Sequence, residues 1–338
     1  MPRTKIPLIR ASQLLPFIEE LQLLEVDPAR QLRRCHCPVS TDFTDPGNII
    51  PTNRLWQFIE ETSRSLGNKN LGWDIAMDYG VYGGGQFGYQ LEHQRTLGDA
   101  INLYNCSISQ HASVSYGQLD TEGECSWFYR ATLPVKGSQY FQVEQYALGT
   151  LVHTVRSYLG SNWRPTRIAI TARPRQAQSY NIANSCDELI VGAARAGIEI
   201  PTKRMSASSR ELRNSLQKPG RKSGPFPTET PNILRQMLGF YLDDYSLSQN
   251  TVSDILEVSP RTLNRQLALY GLSFKDIRKD VIMERAKKEL VSGKLSMLEI
   301  SRLLGYANQS AFSRSFAQTM NESPGAYQQR IASKGMTT

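Results

Sequence analysis

The chain has 338 residues, 40% hydrophobic and 21% charged, enough to bury a sizeable core, and no stretch approaches the roughly 18 uncharged apolar residues of a membrane span. Five cysteines, sparse and odd in number, argue against a disulfide framework and for a reducing cytoplasm. The net charge of +8 sits unevenly: +1 over residues 1–180 (17 basic, 16 acidic), +2 over 181–220 (6 and 4) and +5 over 221–338 (16 and 11), which points to a polyanion met by the last third.

The start, Met1-Pro2-Arg3-Thr4-Lys5, is basic like a signal peptide, but Pro16 and Glu19-Glu20 interrupt the apolar run, so secretion is not expected. Leu14–Leu24 is leucine-rich at helical spacing. Arg54–Leu66 carries Leu55, Phe58, Ile59, Thr62 and Leu66, the stripe of an amphipathic helix, and Leu97–Cys106 repeats that pattern behind Thr96. Ser113–Tyr116 and Cys125–Leu133 read as strands, the second from the alternation Cys125, Trp127, Tyr129, Ala131. Gln142–Leu159 predicts a long helix ended by Gly160, and Arg167–Thr171 a strand closed by Pro174. Interleaved helices and strands predict a single α+β domain over residues 1–200.

Prolines at 201, 219, 225, 227 and 231, around Lys218-Pro219-Gly220-Arg221-Lys222-Ser223-Gly224, predict a linker over 201–231 with one short helix at Ser209–Gln217. Beyond it the strand signals stop. Helices are expected from Pro231 to about Tyr245, then at Thr251–Leu256, Arg261–Tyr270, Phe274–Val291, Met297–Leu304 and Gln309–Met320, with Pro and Gly at their starts and stops. Residues 232–338 are therefore expected to form an all-α domain.

An internal repeat lies in this second domain. Leu256-Glu257-Val258-Ser259-Pro260-Arg261-Thr262-Leu263-Asn264-Arg265-Gln266-Leu267 and Leu304-Gly305-Tyr306-Ala307-Asn308-Gln309-Ser310-Ala311-Phe312-Ser313-Arg314-Ser315-Phe316 both contain apolar-x-Arg-x-apolar. Each combines a short apolar helix, a capped tight turn and a second helix, the pattern of a helix-turn-helix. Leu263 and Leu267, at i and i+4, share one helix face, whereas Arg265 is rotated by about 200° from Leu263 and points outward. Phe312, Phe316 and Arg314 repeat that arrangement. Ser259 and Asn308 are placed to cap the second helices and aim backbone N–H groups at phosphate. The outward set Arg261, Asn264, Arg265 and Gln309, Ser310, Arg314 consists of side chains suited to base edges in the major groove.

Val258–Arg265 followed by Gly271-Leu272-Ser273-Phe274 resembles the first half of the DNA-binding domain of AraC/XylS transcription regulators. Glu284–Leu290 resembles its connecting helix, and Gly305-Tyr306, Gln309–Phe316 and Ser323-Pro324-Gly325-Ala326-Tyr327 resemble its second half. The resemblance spans about residues 232–330 and implies two helix-turn-helix motifs joined by a long helix. It also implies that the second helix of each motif enters the major groove, with Arg261, Asn264 and Arg265 on the first and Gln309, Ser310 and Arg314 on the second. Ser301 stands where alanine is usual and Asn321 where glycine usually precedes Ser-Pro, with effects expected on helix packing and on the C-terminal turn. Gly84-Gly85-Gln86-Phe87-Gly88-Tyr89, Thr96–Ile101 and Asn162-Trp163-Arg164-Pro165 are similar to the "arabinose-binding" N-terminal domain of a subgroup of these regulators. That similarity implies an effector-binding and dimerisation module and does not name a sugar as ligand.

Other features carry less. Cys35-His36-Cys37 has no second Cys/His pair at zinc-site spacing, so neither a metal nor another cofactor is expected. Cys106, Cys125 and Cys186 read as small core residues. Gly83-Gly84-Gly85 lacks the Gly-Lys-Ser/Thr of a phosphate loop and reads as a turn. His93, His111 and His153 have no nucleophile motif beside them and read as structural. One face of Trp127-Phe128-Tyr129 is expected in the core and the other in a ligand pocket. The expectation is a cytoplasmic, non-enzymatic homodimer on double-stranded promoter DNA, away from membranes, controlled through its N-terminal domain by a small molecule or a partner, with the effector contacts left open. It would contact RNA polymerase if an activator. The alternatives are an enzymatic N-terminal domain fused to a DNA-binding reporter, and a nonspecific nucleoid-type binder.

Overall fold

The structure, a computed structural model, describes residues 6–40, 42–80, 86–132, 140–173, 177–208 and 226–335. They form two compact units, Met1–Phe226 and Pro227–Thr338. The expected helix at Ser209–Gln217 and the turn at Gly83-Gly84-Gly85 lie outside the described residues.

The first unit begins with β1 (Leu8–Arg10), α1 (Leu15–Leu23), α2 (Pro28–Arg34) and β2 (Ile49–Pro51), which pairs antiparallel with β1. Helices α3 (Thr52–Leu66), α4 (Leu71–Tyr79), α5 (Gln86–Glu92) and α6 (Leu97–Ser107) follow. Gly67, at φ +65°, ends α3 in the left-handed region. A capping box starts α6: the Thr96 hydroxyl accepts from Asp99 N–H and the Asp99 carboxylate accepts from Thr96 N–H.

The sheet is built from β3 (Ser115–Glu122), β4 (Cys125–Thr132), β5 (Arg167–Ile170), β6 (Glu188–Val191) and β7 (Ala196–Pro201), in the order β3-β4-β7-β5-β6. Only β5 and β6 pair in parallel. The helix α7 (Phe141–Leu159) contributes Leu148, Leu151, Val152 and Val155 to a core shared with Leu97 and Ile101 of α6 and with Phe128, Ile168 and Ile198 of the sheet. Gly149 lets α4 approach α7, because a Cβ there would come 2.5 Å from that of Ala76. The short α8 (Asn181–Asn184) precedes β6.

Several expectations are corrected here. The strand placed at Ser113–Tyr116 starts at Ser115 and runs to Glu122. In β4 it is Phe128 that is fully buried, while Trp127 and Tyr129 lie on the opposite face. There the two rings stack 5.5 Å apart, with Arg167 over Trp127 at 5.4 Å and Arg195 over Tyr129 at 3.9 Å. Those arginines are paired with Glu199 (2.6 Å) and Asp120 (2.7 Å), so polar groups cover the Trp127 and Tyr129 face, and the core face, which alternation left open, is that of Phe128. Of the three cysteines read as core, only Cys186 is buried. Cys106 is exposed because α6 buries Leu97, Ala100, Ile101 and Tyr104, and Cys106 lies two residues past that stripe. The chain also stays packed beyond residue 201. Pro201 closes β7, and Ala207 and Met205 carbonyls accept from Leu97 and Gly98 N–H at 2.9 Å each.

In the second unit α9 (Thr230–Tyr241) starts with Pro231 in its first turn and stops four residues short of the expected Tyr245. It is followed by α10 (Gln249–Leu256), α11 (Pro260–Ala268), α12 (Phe274–Ser292), α13 (Met297–Leu303), α14 (Gln309–Met320) and α15 (Pro324–Gly335). Ile282, Met283, Ala286 and Leu290 of α12 pack with Ile300, Phe312 and Phe316 in one core. Ser301 is fully buried and its hydroxyl donates to the Leu298 carbonyl at 2.8 Å, so the side chain is satisfied within its own helix. Asn321 ends α14 at φ +56°, the left-handed position where glycine is easiest and asparagine is tolerated.

Candidate nucleic-acid interface

The two motifs are the pairs α10–α11 and α13–α14. In the first, Leu263 and Leu267 are fully buried, so the rotation of α11 is fixed by its apolar pair and its other faces meet solvent. Arg261, Asn264 and Arg265 are exposed. The Ser259 hydroxyl accepts from Thr262 N–H at 3.1 Å, with Pro260 in the first turn where its missing N–H costs nothing. In the second, Phe312 and Phe316 are fully buried, Gln309, Ser310 and Arg314 are exposed, and Asn308 Oδ1 accepts from Ala311 N–H at 2.8 Å. Each cap satisfies one donor of its helix and leaves the remaining first-turn amides near the surface.

Part of the positive charge of this unit is paired internally. Arg235 pairs with Asp280 at 2.9 Å, Arg285 with Asp243 at 3.1 Å, Lys287 with Glu284 at 2.7 Å and Arg330 with Glu322 at 2.6 Å. Arg261, Arg265 and Arg314 form no ion pair among the described residues. A full guanidinium charge held in solvent without a carboxylate is available to an outside anion.

Two cations that the sequence reading passed over join this surface. Lys275 and Arg278 are exposed on the first turns of α12 and line an open polar groove with Ser248, Gln249, Asn264 and Ser273. Their signal in the sequence is the capping box Ser273–Asp276, which places the start of α12 beside α11.

In the first unit the candidate residues do not converge. Cys35 and Cys37 are buried; burial pushes the Cys35 thiol up to about 12 and the Cys37 thiol well above its usual value. The His93 ring stacks on Tyr89 at 3.8 Å, His153 lies 3.7 Å from buried Glu92, and His111 stacks on Phe87 at 4.2 Å. A cavity on the inner side of the sheet is lined by Arg130, and Trp127 and Tyr129 are not among its lining residues. Among the described residues no group of three or more His, Cys, Asp or Glu side chains is placed to hold a metal ion, and no helix is long and apolar enough to cross a membrane.

Two helix-turn-helix pairs joined by the long α12, each with an exposed arginine on its second helix, define a DNA-binding protein of the helix-turn-helix class. A helix-turn-helix domain model matches residues 252–330, and a model of the N-terminal arabinose-binding domain of AraC transcription regulators matches residues 26–207. The chain belongs to the AraC family of DNA-binding transcriptional regulators and carries that family's N-terminal ligand-binding domain. It is similar to the HTH-type transcriptional regulator VirS of Mycobacterium tuberculosis, 35% identical over 80 residues, which span 24% of this chain and 24% of that one. Among solved structures, the transcriptional regulator CdpR from Pseudomonas aeruginosa is 17% identical, with 94% of this chain and 98% of that chain covered and a TM-score of 0.41. A DNA-binding transcriptional dual regulator from Escherichia coli K-12 is 21% identical, with 36% and 98% covered and a TM-score of 0.29.

Proposed function

We propose that this protein works as a homodimer in the cytoplasm and reads promoter DNA through α11 and α14, under the control of a small molecule bound by its first unit. Arg261, Asn264 and Arg265 meet base edges from one helix; Gln309, Ser310 and Arg314 do so from the other. The helix starts at Ser259 and Asn308 face phosphates, and Lys275 and Arg278 add backbone contacts beside the first reading helix. The observation that carries this reading is that both second helices, fixed by buried apolar pairs, hold Arg261, Arg265 and Arg314 exposed and without an ion pair among the described residues.

Two reading helices in one subunit would occupy successive major-groove faces, about 34 Å apart. Two linked subunits raise occupancy through effective concentration without a new base contact, so the operator is a long one with two half-sites, direct or inverted. The first unit senses and turns nothing over; its histidines serve packing against Tyr89, Phe87 and Glu92. An activator of this design would also meet RNA polymerase. Sedimentation of the full-length protein with footprinting of its operator tests the reading. A dimer protecting two half-sites supports it, whereas a monomer protecting one half-site, or equal affinity for random DNA, contradicts it.

A further inference from the structure

The first unit has a pocket, open to solvent at its mouth, between α5, α6, β4 and α7. Its walls are mostly apolar, with Phe87, Leu91, Ile108 and Tyr146 among them. Two side chains in that lining, Tyr104 and Arg130, each hold a buried donor atom without an acceptor. Tyr104 is 4% exposed and its hydroxyl is buried with no hydrogen-bond partner. Its ring is locked by edge-on contact with Phe128 at 5.2 Å, so the hydroxyl cannot swing away. Arg130 projects from β4 on the same side as Phe128, its Nε is buried without a partner, and it forms no ion pair among the described residues. Buried donors are rarely left unmade, because neither water nor protein then repays their desolvation.

The charge balance has one sign. No carboxylate lines the cavity. His111, stacked on Phe87, sits where burial and the nearby charge of Arg10 hold its imidazole down at about 4, so it is neutral at pH 7 and supplies a flat wall instead of a second cation.

We propose that this cavity binds a small carboxylate with an apolar body, its carboxylate oxygens accepting from Arg130 and from the Tyr104 hydroxyl while the body lies along Phe87 and His111. A cation would meet the Arg130 charge, and the ring hydroxyls of a sugar would meet apolar walls that cannot pair with them. The proposal rests on the first unit being the sensing module and names the chemistry of what it senses.

The test is titration calorimetry on the full-length protein with sodium benzoate, phenylacetate and hexanoate, against benzamide, benzylamine and L-arabinose. At least one carboxylate should bind, with benzamide and benzylamine at least tenfold weaker. Arg130→Gln should weaken the carboxylate at least tenfold, the loss of a charge-assisted hydrogen bond. Tyr104→Phe, which removes one oxygen and keeps the ring, should weaken it severalfold and carries the test if Arg130→Gln fails to fold. No carboxylate binding, equal binding of benzamide or L-arabinose, or unchanged affinity in both variants would overturn the proposal. Operator affinity is measured in parallel. A carboxylate that binds through Arg130 without altering operator affinity leaves this inference standing and removes effector control. Operator affinity that responds to L-arabinose while no carboxylate binds does the reverse.

Discussion

The two helix-turn-helix motifs share a skeleton and differ in what fills it. Both second helices start at a polar cap, bury two residues four apart and hold an arginine outward between them. The first buries Leu263 and Leu267, whereas the second buries Phe312 and Phe316, whose rings continue to Tyr306 and Tyr327 at 5.6 Å each. The turn residue in the left-handed region is Glu257 in the first motif (φ +54°) and Gly305 in the second (φ +75°). The outward faces differ as well, with two arginines and an asparagine on one, and a glutamine, a serine and one arginine on the other. Helical geometry sets which positions face outward regardless of which apolar side chains anchor the helix. The core can therefore change while the reading face stays in place.

Four experiments press on that comparison. The largest effect belongs to the core. Phe316→Ala should destabilise the second unit by about 3–5 kcal/mol, the usual cost of emptying an aromatic site, and at least match Leu263→Ala at about 2–5 kcal/mol. Urea denaturation of the full-length variants measures both, and a Phe316→Ala loss below that of Leu263→Ala would place the structural weight on the first motif. Next, Arg265→Ala and Arg314→Ala should each remove about 1–3 kcal/mol of discrimination, at different base pairs, with no change in stability. Competition binding against single-base operator variants reads this directly.

Lys275→Ala should then weaken binding evenly across sequences and reduce the salt slope by about 1, as the loss of a phosphate contact does. A sequence-dependent loss would make Lys275 a reading residue. The smallest effects lie in the turns. Gly305→Ala should cost about 1–2 kcal/mol at its left-handed position, while Glu257→Gly, relieving the same strain, should gain less than about 1 kcal/mol. Thermal melts that rank the two alike would show that the turns are not equivalent.

The second unit was legible in the sequence because its contacts are local. Caps at Ser259, Asn308 and Ser273, the i, i+4 apolar pairs and Gly293 and Gly305 as stops all act within a few residues of the helices they define. The first unit was legible in its helices and much less in its sheet. Strand β7 pairs between β4 and β5, far from both in sequence, and β6 is reached only after a crossover. Alternation along β4 shows a period of two but not which face is covered, and arginines and carboxylates take the place of a packed layer over Trp127 and Tyr129. Arg130 carried no signal of its own. A single arginine in a strand reads as solvated until the fold turns it inward beside Phe128. Asn321 was visible as a departure, and its left-handed backbone explains why the position favours glycine.

Whether α11 and α14 read separate stretches of one operator is measured by selection of bound DNA from a random pool. Wild type, Arg265→Ala and Arg314→Ala are compared side by side. Each variant should lose preference at its own short block of base pairs, the two blocks lying about one helical turn apart, with the other block unchanged. Loss at the same positions in both variants, or a selected motif identical to wild type in both, would contradict it.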